Sequence, residues 1–490
     1  MARLTQRIYV RQRQSNRLSN IRLAVAGLWL GGTLIALLSD WLLLGYGWGL
    51  LGGLLFMGSV IWHARVQRSL TRYQIWYRIK QDHLDRLNLN WDALPSPTIP
   101  LQAAHPFEID LDLLDVNRLL DTATSREGSQ RLHTWLLNLK PDEQTIQQRQ
   151  GWVIALAPQI IFRDKLRLVA QVAATGRHRQ WSSTVLQAWV AETPQIQQRT
   201  IVLMLLSGLA LVNIPLFVLF SAGRIPPLFL LTWLPYVLLF LSQSRNLFDE
   251  HANLLNALQQ FNAILGYIEN NQTRLLGTLY TLCEPILRDR PSRLLRRLGW
   301  LVGAAGIQRN VIAWGLINAA IPWDIAVAWG LDRQRNRLKE RLPRWLDTWH
   351  ELEALSSLAN FAYLHPEYPM AEIEPGAVLQ AQAIGHPLIR HERRVTNDFA
   401  VTHLGEVIII TGSNMAGKSS FLRTLGVNLS LAYAGSVVAA EHFSVGLFRV
   451  FTCIRVTDSL NDGISYFYAE VKRLRALLDA LDSDDALPLF

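Results

Sequence analysis

Cysteine is nearly absent from this sequence, with Cys283 and Cys453 the only two in 490 residues. Two such thiols cannot make a disulfide framework, and they match no zinc-ligand spacing. A small secreted scaffold and a zinc-finger protein are therefore excluded. Charge is also scarce, at 18% of residues, while half the chain is hydrophobic. Intrinsic disorder needs the opposite balance and is excluded too. No A-x-A site closes the first apolar run, and a second apolar run comes at once, which argues against a cleaved signal peptide. What is present is length enough for about two to four structural units with buried cores. The net charge is +9, carried mostly by arginine. That suits phosphate partners or a negative membrane surface and does not choose between them.

Long uncharged runs explain the mean hydropathy of +0.13. Leu23 to Ser39 and Trp41 to Trp62 are split by Asp40, and Ile201 to Ala222 and Pro226 to Gln243 by Gly223, Arg224 and Ile225. A spanning helix needs about 20 apolar residues, so each pair reads as a transmembrane helical hairpin. Four buried core helices would show the same runs, but their length and lack of charge favour spans. Arg3, Arg7, Arg11, Arg13, Arg17 and Arg22 precede the first pair, and Arg65, Arg68, Arg72, Arg78 and Lys80 follow it. The positive-inside rule then puts both ends in the cytoplasm. Arg199 and Arg245 flank the second pair in the same sense. Gly45, Gly49 and Gly53 recur every fourth residue, a spacing that lets helices approach closely or reflects ordinary glycine enrichment in membrane helices.

Elsewhere the chain reads as helical. Phe107, Ile109 and Leu111 alternate with acidic residues and predict a short half-buried strand. Leu254, Leu258, Phe261, Leu265, Ile268, Leu275, Leu279, Leu282 and Ile286 fall at intervals mostly of three and four. This heptad seam predicts one long helix, a rod of roughly 60 Å. Residues 298–330 are apolar but interrupted, and read as one or two buried core helices, with a fifth span as the lesser alternative. Trp345, Trp349, Leu352, Leu355 and Ala359 predict another amphipathic helix, closed by His365-Pro366.

The strongest chemistry lies at Gly412-Ser413-Asn414-Met415-Ala416-Gly417-Lys418-Ser419, which fits G-x-x-x-x-G-K-[ST] without a mismatch. The apolar run Val407 to Ile410 predicts a strand before it, and Ser419 to Leu431 a helix after it. Gly412 and Gly417 allow a tight curl whose backbone N–H groups surround phosphate oxygens, and the helix N-terminus adds its positive end. Lys418 would reach the β- and γ-phosphates, and the Ser419 hydroxyl would ligate Mg²⁺. The expected cofactors are ATP and Mg²⁺, bound by residues 412–419 together with Ser420. A second element, Asp458 to Glu470, is a polar glycine-containing turn leading into a helix, with Ser465 a candidate N-cap.

Together these residues resemble the MutS family of DNA mismatch-repair ATPases. Thr411 to Arg423 resembles the family's TGPNMGGKST-x-LR, with Ser413 in place of Pro and Ala416 in place of Gly. Gly385-His386-Pro387, Asn397-Asp398 and Ala434 to Ala440 match further landmarks. Asp458 to Glu470 resembles the segment that reaches the partner's nucleotide across the family's dimer, where Ser465 would touch the γ-phosphate in trans. Asp462 departs from the family's basic residue there. Phe107 to Arg149, including Asp121-Thr122-Ala123-Thr124 and Gly128, resembles the start of the family's helical core, and residues 345–370 its end. The heptad rod sits where the family carries its lever helices.

The implied fold class is mainly α with a C-terminal α/β P-loop NTPase domain, ABC-like, plus two transmembrane hairpins. The organisation is a basic N-terminus and hairpin at 1–70, helical core at 71–198, second hairpin at 199–245, lever and core at 246–370, and ATPase domain at 371–490. Three departures from the family stand out. The mismatch-recognition domain has no counterpart, a hairpin replaces the DNA clamp, and the Walker B acidic pair would fall past Phe490. The chain is therefore expected to be a fragment, or to bind ATP while hydrolysing it poorly. The resemblance implies a multi-pass protein of the cytoplasmic membrane with a cytoplasmic ATPase domain, dimeric through those domains, with ATP, DNA and lipid as partners. The alternatives are an ATP-driven transporter component and a non-hydrolysing membrane nucleotide sensor. Against transport, no substrate-like charges lie within the spans and the signature segment is not LSGGQ.

Overall fold

The computed structural model describes residues 1–38, 42–95, 106–138, 141–174, 183–244, 251–275, 277–376, 378–413, 416–454, 466–481 and 487–490. The chain divides into two compact units, Met1–Leu94 and Pro95–Phe490. The described residues are predominantly helical, with one small sheet.

The first unit is built on two antiparallel helices, α1 (Ala2–Leu38) and α2 (Leu42–Leu87). Both run well past the uncharged runs, because a second apolar seam continues them. Leu18, Val66, Leu70, Ile75 and Ile79 are buried along it. Contacts fix the register: Arg7 stands over the Tyr73 ring, Ser15 donates to Gln67 at 2.8 Å, and Trp29 Nε1 donates to the Gly49 carbonyl at 2.9 Å. Helices approach most closely at Gly32, against Trp48, and Gly52, against Trp29. In the expected glycine repeat, Gly49 meets Thr33 and Gly53 meets Trp29 at ordinary contact distance.

The second unit begins with α3 (Pro106–Asp110), α4 (Leu113–Leu120), α5 (Arg126–Leu136), α6 (Glu143–Leu156), α7 (Ile160–Ala174) and α8 (Thr184–Ala191). The strand expected at 107–111 is instead the helix α3. Its acidic residues do not mark a wet face: Glu108 and Asp110 are both fully buried, opposite His133 and Arg473 respectively. Two apolar helices follow, α9 (Ile196–Ser221) and α10 (Phe229–Ser244), packed on each other. Next come α11 (His251–Asn270), α12 (Thr278–Asp289), α13 (Pro291–Ala305), α14 (Val311–Ala320), α15 (Trp323–Leu338) and α16 (Leu342–Leu364). The predicted single rod is thus two helices. Its apolar seam is buried throughout, but the polar run Asn270 to Thr273 and Gly277, at φ +62°, break the helix between them. The helix α16 forms as its pattern predicts and is buried along most of its length, with α4, α5, α6 and α12 around it.

Among the described residues, three helical stretches are long and apolar enough to cross a membrane: Ala2–Ile35, Gly47–Leu87 and Ile196–Ser221. The fourth expected span is shorter, since Pro226-Pro227 delays its helical start to Phe229. Ile312–Ala320 and Trp323–Leu338 also pass as one apolar pair, bent by 85°.

The C-terminal part holds β1 (Glu372–Ile373), β2 (Leu379–Ile384), β3 (Asn397–Val401), α17 (Lys418–Ala434), β4 (His442–Val445) and α18 (Tyr466–Leu481). The sheet order is β1-β4-β2-β3. β1 and β4 are parallel, while β2 runs antiparallel to both its neighbours. The apolar run Val407 to Ile410 is in no strand. Val407 and Ile409 are 83% and 81% exposed, so the β-branched signal is present without a ladder partner to fix it.

Candidate functional site

The glycine-lysine motif lies at the N-terminus of α17. Gly417 caps that helix at φ +84°, a left-handed conformation that glycine adopts without strain. Gly412 has no positive φ, and a Cβ there would meet that of Ala416 at 3.4 Å, close to ordinary contact. Ala416 N–H donates to the Ser413 carbonyl at 3.2 Å, and the first bond of the helix runs from Phe421 N–H to the Gly417 carbonyl. Earlier amides in a first turn have no partner within the helix. The Lys418 ammonium donates to the Gly412 and Ser413 carbonyls at 2.6 and 2.7 Å. It therefore closes the mouth of the loop. Ser419 and Ser420 are exposed beside it, and no acidic residue occupies the first turn of the helix. Asn414 and Met415 lie outside the described residues.

From Thr424 to Ala434 the same helix is buried on every side. Gly426 lies against Leu111, and Gly435, at φ +82°, ends the helix against Arg149 and Gln150. Asn428 ties the landmarks of this region together. Its Nδ2 donates to the Gly385 carbonyl at 3.1 Å, and its Oδ1 accepts from Ala439 N–H at 2.7 Å. Gly385-His386-Pro387 and the 434–440 run thus meet on the helix that carries Lys418. Burial pushes the His386 imidazole down to about 4 against the pull of nearby Asp112, so this ring is neutral at pH 7. Asp112 pairs in turn with Arg423 at 3.3 Å. Asp398 accepts from Ala383 N–H at 2.8 Å and holds β3 on β2.

Two connections to the helical body escaped the motif reading. Asp110 accepts from Arg473 Nη1 at 2.7 Å, from Thr452 Oγ1 at 2.8 Å and from Ile454 N–H at 3.2 Å, and so anchors α18. Glu353 of α16 accepts from both the amides and the hydroxyls of Thr124 and Ser125. Burial pushes its carboxyl up to about 7, against those four hydrogen bonds. In each case the sequence signal was an acidic residue at an apolar position. Ser465 and most of the Asp458 to Glu470 segment lie outside the described residues, and Glu470 falls within α18.

A cavity of about 420 Å³ opens beside the extended segment, lined by apolar side chains that include Ile408, Ile410, Leu422, Phe448 and Phe490. Among the described residues of 412–420 none lines it. Among the described residues, no group of three His, Cys, Asp or Glu side chains could hold a metal ion. A cation here would depend on Ser419 and on the oxygens of a bound phosphate.

Comparison with known proteins bears on this region. The model of MutS domain V matches residues 408–487. The DNA mismatch repair protein MutS of Chlorobium chlorochromatii is 37% identical over 135 residues, covering 26% of this chain and 15% of that protein. The MutS of Thermus aquaticus is 35% identical over 150 residues, 30% and 17% of the two chains. That of Syntrophomonas wolfei is 33% identical over 162 residues, 31% and 19%. The matches thus span less than a fifth of these curated relatives and under a third of this chain. The stretch 408–487, which carries the Lys418 loop, thus matches MutS domain V, and over this region the chain is similar to MutS proteins.

Proposed function

We propose that this chain is a membrane-anchored, MutS-like protein that binds ATP with Mg²⁺ and acts on DNA. The observation that carries the reading is the loop from Gly412 to Ser419 at the start of α17, within the stretch matched to MutS domain V. Its geometry fits a polyphosphate: a glycine cap, first-turn amides that the helix itself leaves over, a lysine at the mouth and no competing carboxylate in the first turn. Lys418 would exchange its two carbonyl contacts for phosphate oxygens, and the Ser419 hydroxyl would face the cation. A bound Mg²⁺ would supply charge neutralisation between the phosphates. By analogy with the family's signature segment, Ser465 of a second copy would complete the site.

Anchoring is supported by the three apolar helical stretches and by their flanking arginines. A role on DNA is supported by the relatives, which are DNA mismatch repair proteins, and by the basic N-terminal helix pair. Two measurements test this function. Binding of a fluorescent ATP analogue to the detergent-solubilised chain should weaken about tenfold or more in Lys418→Ala, because a charge-assisted bond to phosphate is lost. Unchanged affinity would remove the loop from the site. Binding to homoduplex, mismatched and branched DNA should respond to ATP–Mg²⁺ and fall steeply with salt. Absence of binding at low salt would separate the nucleotide reading from the DNA reading.

A further inference from the structure

We propose that residues 298–330 form a re-entrant membrane segment, entering and leaving the bilayer on the side where α9 begins and packing against α9 and α10 within it. The inference rests on the membrane reading given above.

The first observation is a contact ladder. α15 runs back along α9: Ile325 packs with Leu206 and Ala210, Trp329 Nε1 donates to Thr200 at 2.9 Å, and Arg199 donates to the Ala328 carbonyl at 3.1 Å. α14 advances along α10 in the opposite sense. Trp314 meets Phe240, Tyr236 OH donates to the Asn318 carbonyl at 2.7 Å, and Trp233 Nε1 donates to the Ala319 carbonyl at 3.3 Å. The tip therefore reaches the level where Thr232 bonds Asn213. Counted along α9 from Arg199, that depth is ~21 Å at 1.5 Å per residue, short of a hydrocarbon core of about 30 Å. The outer turn at Gly223 lies beyond it. The segment dips in and does not cross.

The second observation is how the break between α14 and α15 is satisfied. Non-helical backbone survives at membrane depth only where protein groups meet its polar atoms. The Asn318 and Ala319 carbonyls, orphaned at a helix C-terminus, take their donors from α10. The Ile317 carbonyl accepts from Ile321 N–H, and Pro322 has no N–H to satisfy. At the start of α15, Asp324 N–H donates to Asn318 Oδ1. The buried Asp324 carboxylate accepts from Gln308 at 2.8 Å and from Trp314 at 2.7 Å. A helix break exposed to water can leave such groups to solvent.

The third is the gradient on the outer surface. Arg293, Arg296 and Arg297 are exposed on α13. Trp300 follows, 66% exposed, and then Ile312 and Leu316, 77% and 70% exposed. Basic, aromatic and aliphatic residues succeed one another as headgroup, interface and hydrocarbon do. The occupant of this face is therefore lipid, continuous with the exposed apolar sides of α9 and α10.

Single cysteines in a Cys283→Ala, Cys453→Ser background, probed with a membrane-impermeant maleimide in sealed vesicles of both orientations, test this. Arg297→Cys and Arg341→Cys should label only from the ATPase side, and Arg224→Cys only from the other. Ile312→Cys and Leu316→Cys should label from neither side, yet a fluorophore placed there should be quenched by brominated lipid. Labelling of positions 297 and 341 from opposite faces would make the segment a crossing span. Labelling of 312 and 316 from the ATPase side would make it a soluble cap. Either result overturns the inference while leaving the α9–α10 hairpin intact. Labelling of position 224 from the ATPase side would remove the hairpin itself, and the inference with it.

Discussion

The two apolar helix assemblies of this protein are held together by different physics. The α1–α2 pair meets mainly through shape, beside the Ser15–Gln67 and Trp29–Gly49 bonds: the Trp29 and Trp48 indoles fill the spaces left by Gly52 and Gly32, and Trp29 stacks on Phe56 at 5.8 Å. The α9–α10–α14–α15 assembly meets through hydrogen bonds, with Asn213, Trp233, Tyr236, Asn318 and Asp324 joining four elements. A straight helix pair satisfies its own backbone and needs only a close fit. A bent segment leaves polar atoms over and must recruit side chains to meet them. The difference predicts that the first assembly is sensitive to volume and the second to polarity.

The largest effect is expected at Asp324. Asp324→Leu strands donors from Gln308 and Trp314, and one buried unmatched group costs about 1–3 kcal/mol, so the loss should be ~3 kcal/mol or more. Urea unfolding in detergent, followed by tryptophan fluorescence, would measure it. Asp324→Asn, which keeps an acceptor, should lose clearly less. A loss as large for Asn as for Leu would point to the charge instead.

A buried carboxylate in the helical body provides a further comparison. Glu353 holds its proton in the folded protein up to about pH 7, against an ordinary value of 4.5 in the unfolded chain. The folded state thus binds more protons between these values, so stability falls as pH rises through that window and is flat above it. The span is worth up to ~3 kcal/mol. Hydrogen exchange at the Thr124 and Ser125 amides, corrected for intrinsic rates, should show the decline, and Glu353→Gln should abolish it.

In the first assembly, Gly52→Leu overpacks Trp29 and should cost about 1–3 kcal/mol. Trp29→Ala in the same chain should recover part of this, whereas two independent losses would simply add. Asn213→Ala is the smallest, at ~0.6 kcal/mol, the usual worth of one side-chain bond between membrane helices. A loss above 2 kcal/mol there would make this bond, and not Asp324, the centre of the network.

These contrasts also mark what the sequence reveals. The helix that follows Gly417 and the buried face of α16 were legible, because each depends on local chemistry. Asn428 was silent, since its two partners lie far away in sequence. The alternation at Phe107 to Leu111 misled because it presumes one wet face, and both faces are dry. The heptad seam identified buried residues correctly but not the helix break, which polar residues at 270–273 and Gly277 decide. The strand at Val407 to Ile410 needs ladder partners that no property of its own residues can supply.

The Asp110 anchor sets an order on how the protein is made. Thr452, Ile454 and Arg473, the donors named for it, lie 342 to 363 residues downstream. At a synthesis rate of about 5–20 residues per second, Asp110 leaves the ribosome roughly 20–70 s before Arg473 does. Throughout that time the segment from Phe107 to Leu111 carries a carboxylate bound for the interior without those partners. This corner of the helical body therefore completes its folding only with α18, once these donors have emerged.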